Sequence, residues 1–96
     1  MTRITLQDKT GPFAENKDIA RDIRVKMILP ALSEQEEVIL DFEGIEGATQ
    51  SFIHALISDI IRKKGPETLD RIVFKNCNGT VQKIISTVTE YMQESG

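Results

Sequence analysis

Residues 38–52 read Val38-Ile39-Leu40-Asp41-Phe42-Glu43-Gly44-Ile45-Glu46-Gly47-Ala48-Thr49-Gln50-Ser51-Phe52, and this stretch decides the fold. Within Glu37 to Phe42, the apolar residues Val38, Ile39, Leu40 and Phe42 make a run of strand length. A strand with one wet face alternates apolar and polar residues, so this run predicts a central strand covered on both faces. Asp41 stands near its carboxyl end, and Glu43 to Ala48 form a loop rich in glycine and carboxylates. A helix starts around Thr49 to Ser51. Phe52, Ile53, Leu56, Ile57, Ile60 and Ile61 give it a wide apolar face, and Gly65-Pro66 ends it in the usual order of breakers.

The same reading extends in both directions. Toward the N-terminus, Ile4-Thr5-Leu6 predicts a short strand, closed by the turn-rich Asp8 to Pro12. Phe13 adds a short extended piece. Asn16 is placed to cap a helix whose inner face is Ile19, Ala20, Ile23, Met27 and Ile28, and Pro30 stops or kinks that helix. Toward the C-terminus, Ile72-Val73-Phe74 predicts a third strand. Asn78 then caps a last helix marked by Val81, Ile84, Ile85, Val88, Tyr91 and Met92. The order β-α-β-α-β-α predicts an α/β fold: a small, mostly parallel sheet with about three helices, set mainly on one face. Residues 1–96 make one domain.

Composition narrows the function classes. The chain is 40% hydrophobic and 28% charged, as globular domains are. With four Phe, one Tyr and no Trp, it has little material for stacking single-stranded nucleic acid. A net charge of -3 argues against phosphate-backbone binding, so no nucleic-acid partner is expected. Arg62, Lys63 and Lys64 read as favourable charge at a helix C-terminus. The single cysteine, Cys77, excludes an internal disulfide, and no segment resembles a membrane span or a signal peptide. A cytoplasmic setting without membrane contact is therefore expected.

In open α/β sheets, functional residues gather in the loops after the strands. Two loops qualify, Asp41 to Ser51 and Asn76 to Thr80, and their consecutive strands place them on one edge. Thr49, Gln50 and Ser51 stand at a helix N-terminus, where free N–H groups and the helix dipole favour an anion or a phosphoryl group. On position alone, Thr49 or Ser51 reads first as a plain N-cap, worth ~1 kcal/mol. His54, three residues after Ser51, lacks the orienting acid and nucleophile elbow of a hydrolase, and it reads as a surface or capping side chain. Cys77 reads as a structural thiol. Asp41, Glu43 and Glu46 lack the further ligands that a metal site needs, and Gly44-Ile45-Glu46-Gly47 is no phosphate loop. No enzyme activity, cofactor or metal is expected.

The run from Leu40 to Phe52 resembles the strand–loop–helix signature of STAS domains, shared by sulfate transporters and anti-sigma factor antagonists. It is closer to the STAS-like family of unknown function, which carries an Asp-Phe pair, a Gly-hydrophobic pair and a Ser/Thr-Gln-Ser-Phe run. Ile19-Ala20-Arg21 and the strand from Ile72 to Asn76 fit the same pattern. The resemblance implies a regulatory protein–protein interaction module in a bacterial signalling circuit. In the antagonist branch, a serine at this helix start is phosphorylated by a histidine-kinase-like ATPase, and phosphorylation releases that partner. By motif position Ser51 matches the phosphorylated serine, with Thr49 as the alternate, and Asp41 matches the aspartate that ends the strand. Antagonists carry an acidic residue and a small glycine near this serine, where this chain has Thr49, Gln50 and Phe52. The expected contact surface is Asp41, Gly44, Glu46, Gly47, Thr49, Gln50, Ser51, Asn76 and Asn78. Two other readings stay open: a small anion- or nucleotide-binding domain, and a homodimer joined through a helix face or a sheet edge.

Overall fold

The computed structural model describes residues 2–95, apart from the side chains of residues 66 and 93–95. Three strands, β1 (Thr2–Thr5), β3 (Val38–Asp41) and β5 (Ile72–Lys75), form a parallel sheet in the order β1-β3-β5. The register aligns Ile4 with Leu40 and Phe74, and Thr5 with Asp41 and Lys75. Strand β3 is central and buried along its whole length, as its apolar run requires. All three carboxyl ends therefore lie on one edge of the sheet.

The two sheet faces differ. Ile4, Val38, Leu40, Ile72 and Phe74 join the hydrophobic core with the helices. The opposite face carries Arg3, Thr5, Ile39, Asp41, Val73 and Lys75, and Ile39 is buried without joining that core. The burial of β3 along its whole length matches the expectation of a strand covered on both faces, and the helices lie on one face as expected. On the other face, Arg3 of β1 lies over Asp41.

After β1, Leu6 is fully buried, and its carbonyl accepts the N–H groups of Lys9 and Thr10, both at 2.9 Å. One short helix results, α1 (Gln7–Thr10), where the sequence suggested only a turn. Phe13 does begin an extended piece, β2 (Phe13–Ala14), which pairs in parallel with β4 (Gly47–Ala48) in a second, two-stranded sheet. The predicted loop after β3 therefore contains a strand. Two residues are too short for any periodic signal.

Asn16 caps α2 (Lys17–Ile23), accepting the N–H groups of Asp18 at 2.9 Å and Ile19 at 3.4 Å. Pro30 kinks this helix without ending it. The path widens into a π turn at Arg24–Ile28 and continues as α3 (Leu29–Ser33). Within that wider turn Leu29 N–H bonds to the Arg24 carbonyl, five residues back, which relieves the clash a proline ring makes with an ordinary helical turn.

Helix α4 (Gln50–Lys64) buries Phe52, Ile53, Leu56, Ile57, Ile60 and Ile61, and it packs between α2 and α5 (Gly79–Ser95). Each fully buried Ile or Leu contributes about 1.5–3 kcal/mol of transfer free energy, so α4 anchors the core. Arg24 ties α2 to α4, donating to the Ala55 carbonyl at 2.7 Å and pairing with Asp59 at 3.2 Å. Among the described residues, no helix is long and apolar enough to cross a membrane.

Candidate functional site

Asp41 ends the central strand with only 2% of its surface exposed. Oδ2 accepts from Arg3 Nε at 3.2 Å and Nη2 at 2.5 Å. Oδ1 accepts from Asn76 Nδ2 and from the backbone N–H of Glu43, both at 2.9 Å. The hydrogen bond from Asn76, then those from Arg3 and Glu43, hold the carboxyl at a pKa of about 2, against a small opposing effect of burial. Arg3 is raised in turn, chiefly by its hydrogen bond to Asp41. Asp41 was placed on the contact surface by sequence; the structure instead uses all four interactions inside the fold. It is the organiser of the edge, because charge-assisted bonds from β1 and from the loops after β3 and β5 converge on it.

The loops after β3 and β5 meet as the topology demanded. Asn78 Nδ2 donates to the carbonyls of Ile45 at 3.3 Å and Glu46 at 3.0 Å. Its Oδ1 accepts the N–H of Val81 at 2.9 Å and so caps α5. One side chain thus closes a helix and staples the neighbouring loop. Gly44 has φ +82°, a left-handed conformation that favours glycine, while a Cβ there would meet only the movable end of the Gln7 side chain. Asn76 takes φ 59°, a conformation that asparagine tolerates better than other side chains.

The two hydroxyls at the start of α4 have different roles. Thr49 is the N-cap, its Oγ1 accepting the N–H of Phe52 at 3.1 Å. Ser51 stands one residue inside the helix and is exposed. Phe52 points the other way, fully buried in the core, and so leaves the serine open. Glu46, Gly44, Gln50, Asn76 and Asn78 are also exposed, and Gly47 is half-buried. The residues expected at the contact surface therefore form one rim, with Asp41 beneath it.

Pairing of β2 with β4 adds a second chain segment to this rim. Phe13 lies opposite Gly47 and Ala14 opposite Ala48, and Thr49 N–H donates to the Ala14 carbonyl at 2.9 Å. The two segments then enter α2 and α4 side by side. Lys17, Gln50, Ser51, His54 and Ala55 line one open depression of about 430 Å³. Sequence reasoning missed Lys17 here, because its signal is the pairing of two very short strands. It also missed Arg3, whose only trace is a cation at mid-strand. Cys77 is half-buried; burial, then the charge of Asp41, raise its thiol pKa, which disfavours a thiolate nucleophile. Among the described residues, no three of His, Cys, Asp and Glu converge to hold a metal ion.

A sheet with helices on one face and a polar rim at the strand ends defines an α/β domain of STAS-like architecture. The family model described as "STAS-like domain of unknown function (DUF4325)" matches residues 20–82, and the chain belongs to this family. The matched span includes Asp41, Ser51, Asn76 and Asn78, and it leaves out Arg3, Phe13 and Lys17. Comparison with curated proteins and with solved structures gives no match.

Proposed function

We propose that this chain is a non-enzymatic regulatory module, working in the cytoplasm, that binds a protein partner through the rim and releases it when Ser51 is phosphorylated. The supporting observation is an exposed hydroxyl in the first turn of a helix with no carboxylate in that turn. Natural helices favour acidic residues there, since these offset the positive end of the dipole. Lys17 adds a cation to the same depression, at the start of α2, where it opposes that helix's own dipole. A phosphate on Ser51 supplies the missing negative charge.

In the transfer itself, Ser51 Oγ attacks the γ-phosphorus of ATP held by a kinase. The Oγ–P bond forms, the bond to ADP breaks, and the hydroxyl proton passes to a base on the kinase. A histidine-kinase-like ATPase is the partner class that the family resemblance brings forward. The unmodified rim offers Lys17 to an acidic group of that partner. Phosphate neutralises Lys17 and repels the acid, so the contact is lost.

The test is incubation of the purified chain with ATP and an extract of its native cells, followed by mass mapping. Phosphate on Ser51, absent from Ser51→Ala, is the expected result. No uptake, or uptake remote from this helix start, rejects the switch.

A further inference from the structure

Strand β5 is an edge of the three-stranded sheet, since it pairs with β3 alone. The Lys75 carbonyl accepts the N–H of Phe42 at 2.8 Å, so Lys75 turns its peptide groups toward β3. Alternation along the strand then turns those of Phe74 to the open side. Among the described residues, none bonds the Phe74 N–H or carbonyl. Beside this edge lies a groove of about 310 Å³ between β5 and α5, whose walls include Phe74, Cys77, Ile85 and Ser86. Gln82, also in its wall, donates from Nε2 to the Cys77 carbonyl at 2.9 Å, which ties α5 to the loop after β5. Two cations bracket the strand. Arg71 precedes it and Lys75 ends it; both are exposed, and neither makes an ion pair among the described residues.

Open peptide groups on an edge strand are a template for another extended backbone, and a groove beside them takes that backbone's alternate side chains. We infer that the β5 edge binds an extended, acid-flanked segment of a partner protein as a fourth strand. In antiparallel pairing, the more stable kind, one apolar residue of the segment stands opposite Phe74 and another opposite Ile72. Both then point to the helix-covered face, where the groove lies. The same register sets the two ends of the segment opposite Lys75 and Arg71, where carboxylates are complementary. A second copy of β5 in that register sets Lys75 against Arg71 at both ends, so like charges oppose self-pairing. The inference goes beyond the Ser51 switch, because the edge is built without the helix start of α4.

The experiment is a backbone NMR titration of the purified chain with an acetylated, amidated pentapeptide, glutamate–valine–threonine–valine–glutamate. Two comparison probes are the same peptide N-methylated at both valines, which lacks the strand-pairing donors, and a version with lysine at both ends. The first peptide is expected to shift the amides of Phe74, Lys75 and Ile85, and neither comparison probe to do so. Lys75→Glu is expected to weaken the response about two- to fivefold. With Arg71→Glu added, the chain responds to the lysine-ended peptide instead. An equal response to the N-methylated peptide, indifference to Lys75→Glu, shifts centred away from β5 and α5, or no shift up to the peptide's solubility limit overturns the inference. A shift of the same amides on concentrating the chain alone also overturns it, by assigning the edge to a second copy. Failure of Ser51 to take up phosphate, with the peptide response intact, removes the switch and keeps the edge site.

Discussion

Asp41 shows how one side chain sets a whole edge. Its folded pKa of about 2 lies below the ordinary value of 3.8, so its bonds stabilise the native state above pH 4. That contribution is lost as pH falls from about 4 toward 2. The carboxylate lies shallow, under an arginine that faces solvent, so screening holds its worth to about 1–2 kcal/mol. Urea unfolding of Asp41→Asn is expected to show that deficit at pH 7 and almost none near pH 2. An equal deficit at both values would mean that shape and not charge is at issue. The sequence placed Asp41 at the end of the strand but not its partner. Arg3 lies 38 positions away, and only the register of β1 on β3 brings it near.

Helix starts and loop staples act one level up. Thr49→Ala removes the cap on α4 and is expected to cost about 1 kcal/mol in thermal or urea unfolding. Ser51→Asp adds a carboxylate to the same turn and is expected to stabilise by about 0.3–1 kcal/mol, less at high salt. Opposite signs at neighbouring hydroxyls would separate a structural cap from an open position; a loss at both would show that Ser51 is also structural. Asn78→Ala breaks a cap and two bonds to the Ile45 and Glu46 carbonyls, so it is expected to cost about 2 kcal/mol, above a lone cap. Hydrogen exchange should quicken at Val81 and across the Glu46 loop in this variant. Of these elements, the long ones were legible. Caps at Asn16, Thr49 and Asn78, and the breaker pair after α4, are written in local side-chain chemistry. Strand β4 and the π turn were not, because a two-residue strand exists only through its partner and the widened turn is a response to Pro30.

For the molecule as a whole, alternation of strand and helix was enough to give a parallel sheet with its carboxyl ends on one edge. The face that the helices cover was harder to read. Val38, Ile39, Leu40 and Phe42 look alike in sequence, yet Leu40 meets the helices and Ile39 does not. Leu40→Ala is expected to cost about 2–5 kcal/mol by leaving a cavity in the core. Val73→Thr, on the opposite face, is expected to cost less than about 1 kcal/mol. Comparable losses would put a second layer over the open face. The meeting of the loops after β3 and β5 at one edge follows from topology. The end of the rim beside Phe13 and Lys17 depends on the small second sheet, and no periodicity announces that pairing.

Regulation by the helix start of α4 is the claim on which the functional account turns. The most direct measurement is quantitative co-purification from the native cells of tagged wild-type chain, Ser51→Ala and Ser51→Asp, all three verified as folded. The account predicts one protein partner retained by wild type and Ser51→Ala and lost from Ser51→Asp. Equal retention by all three chains would contradict it.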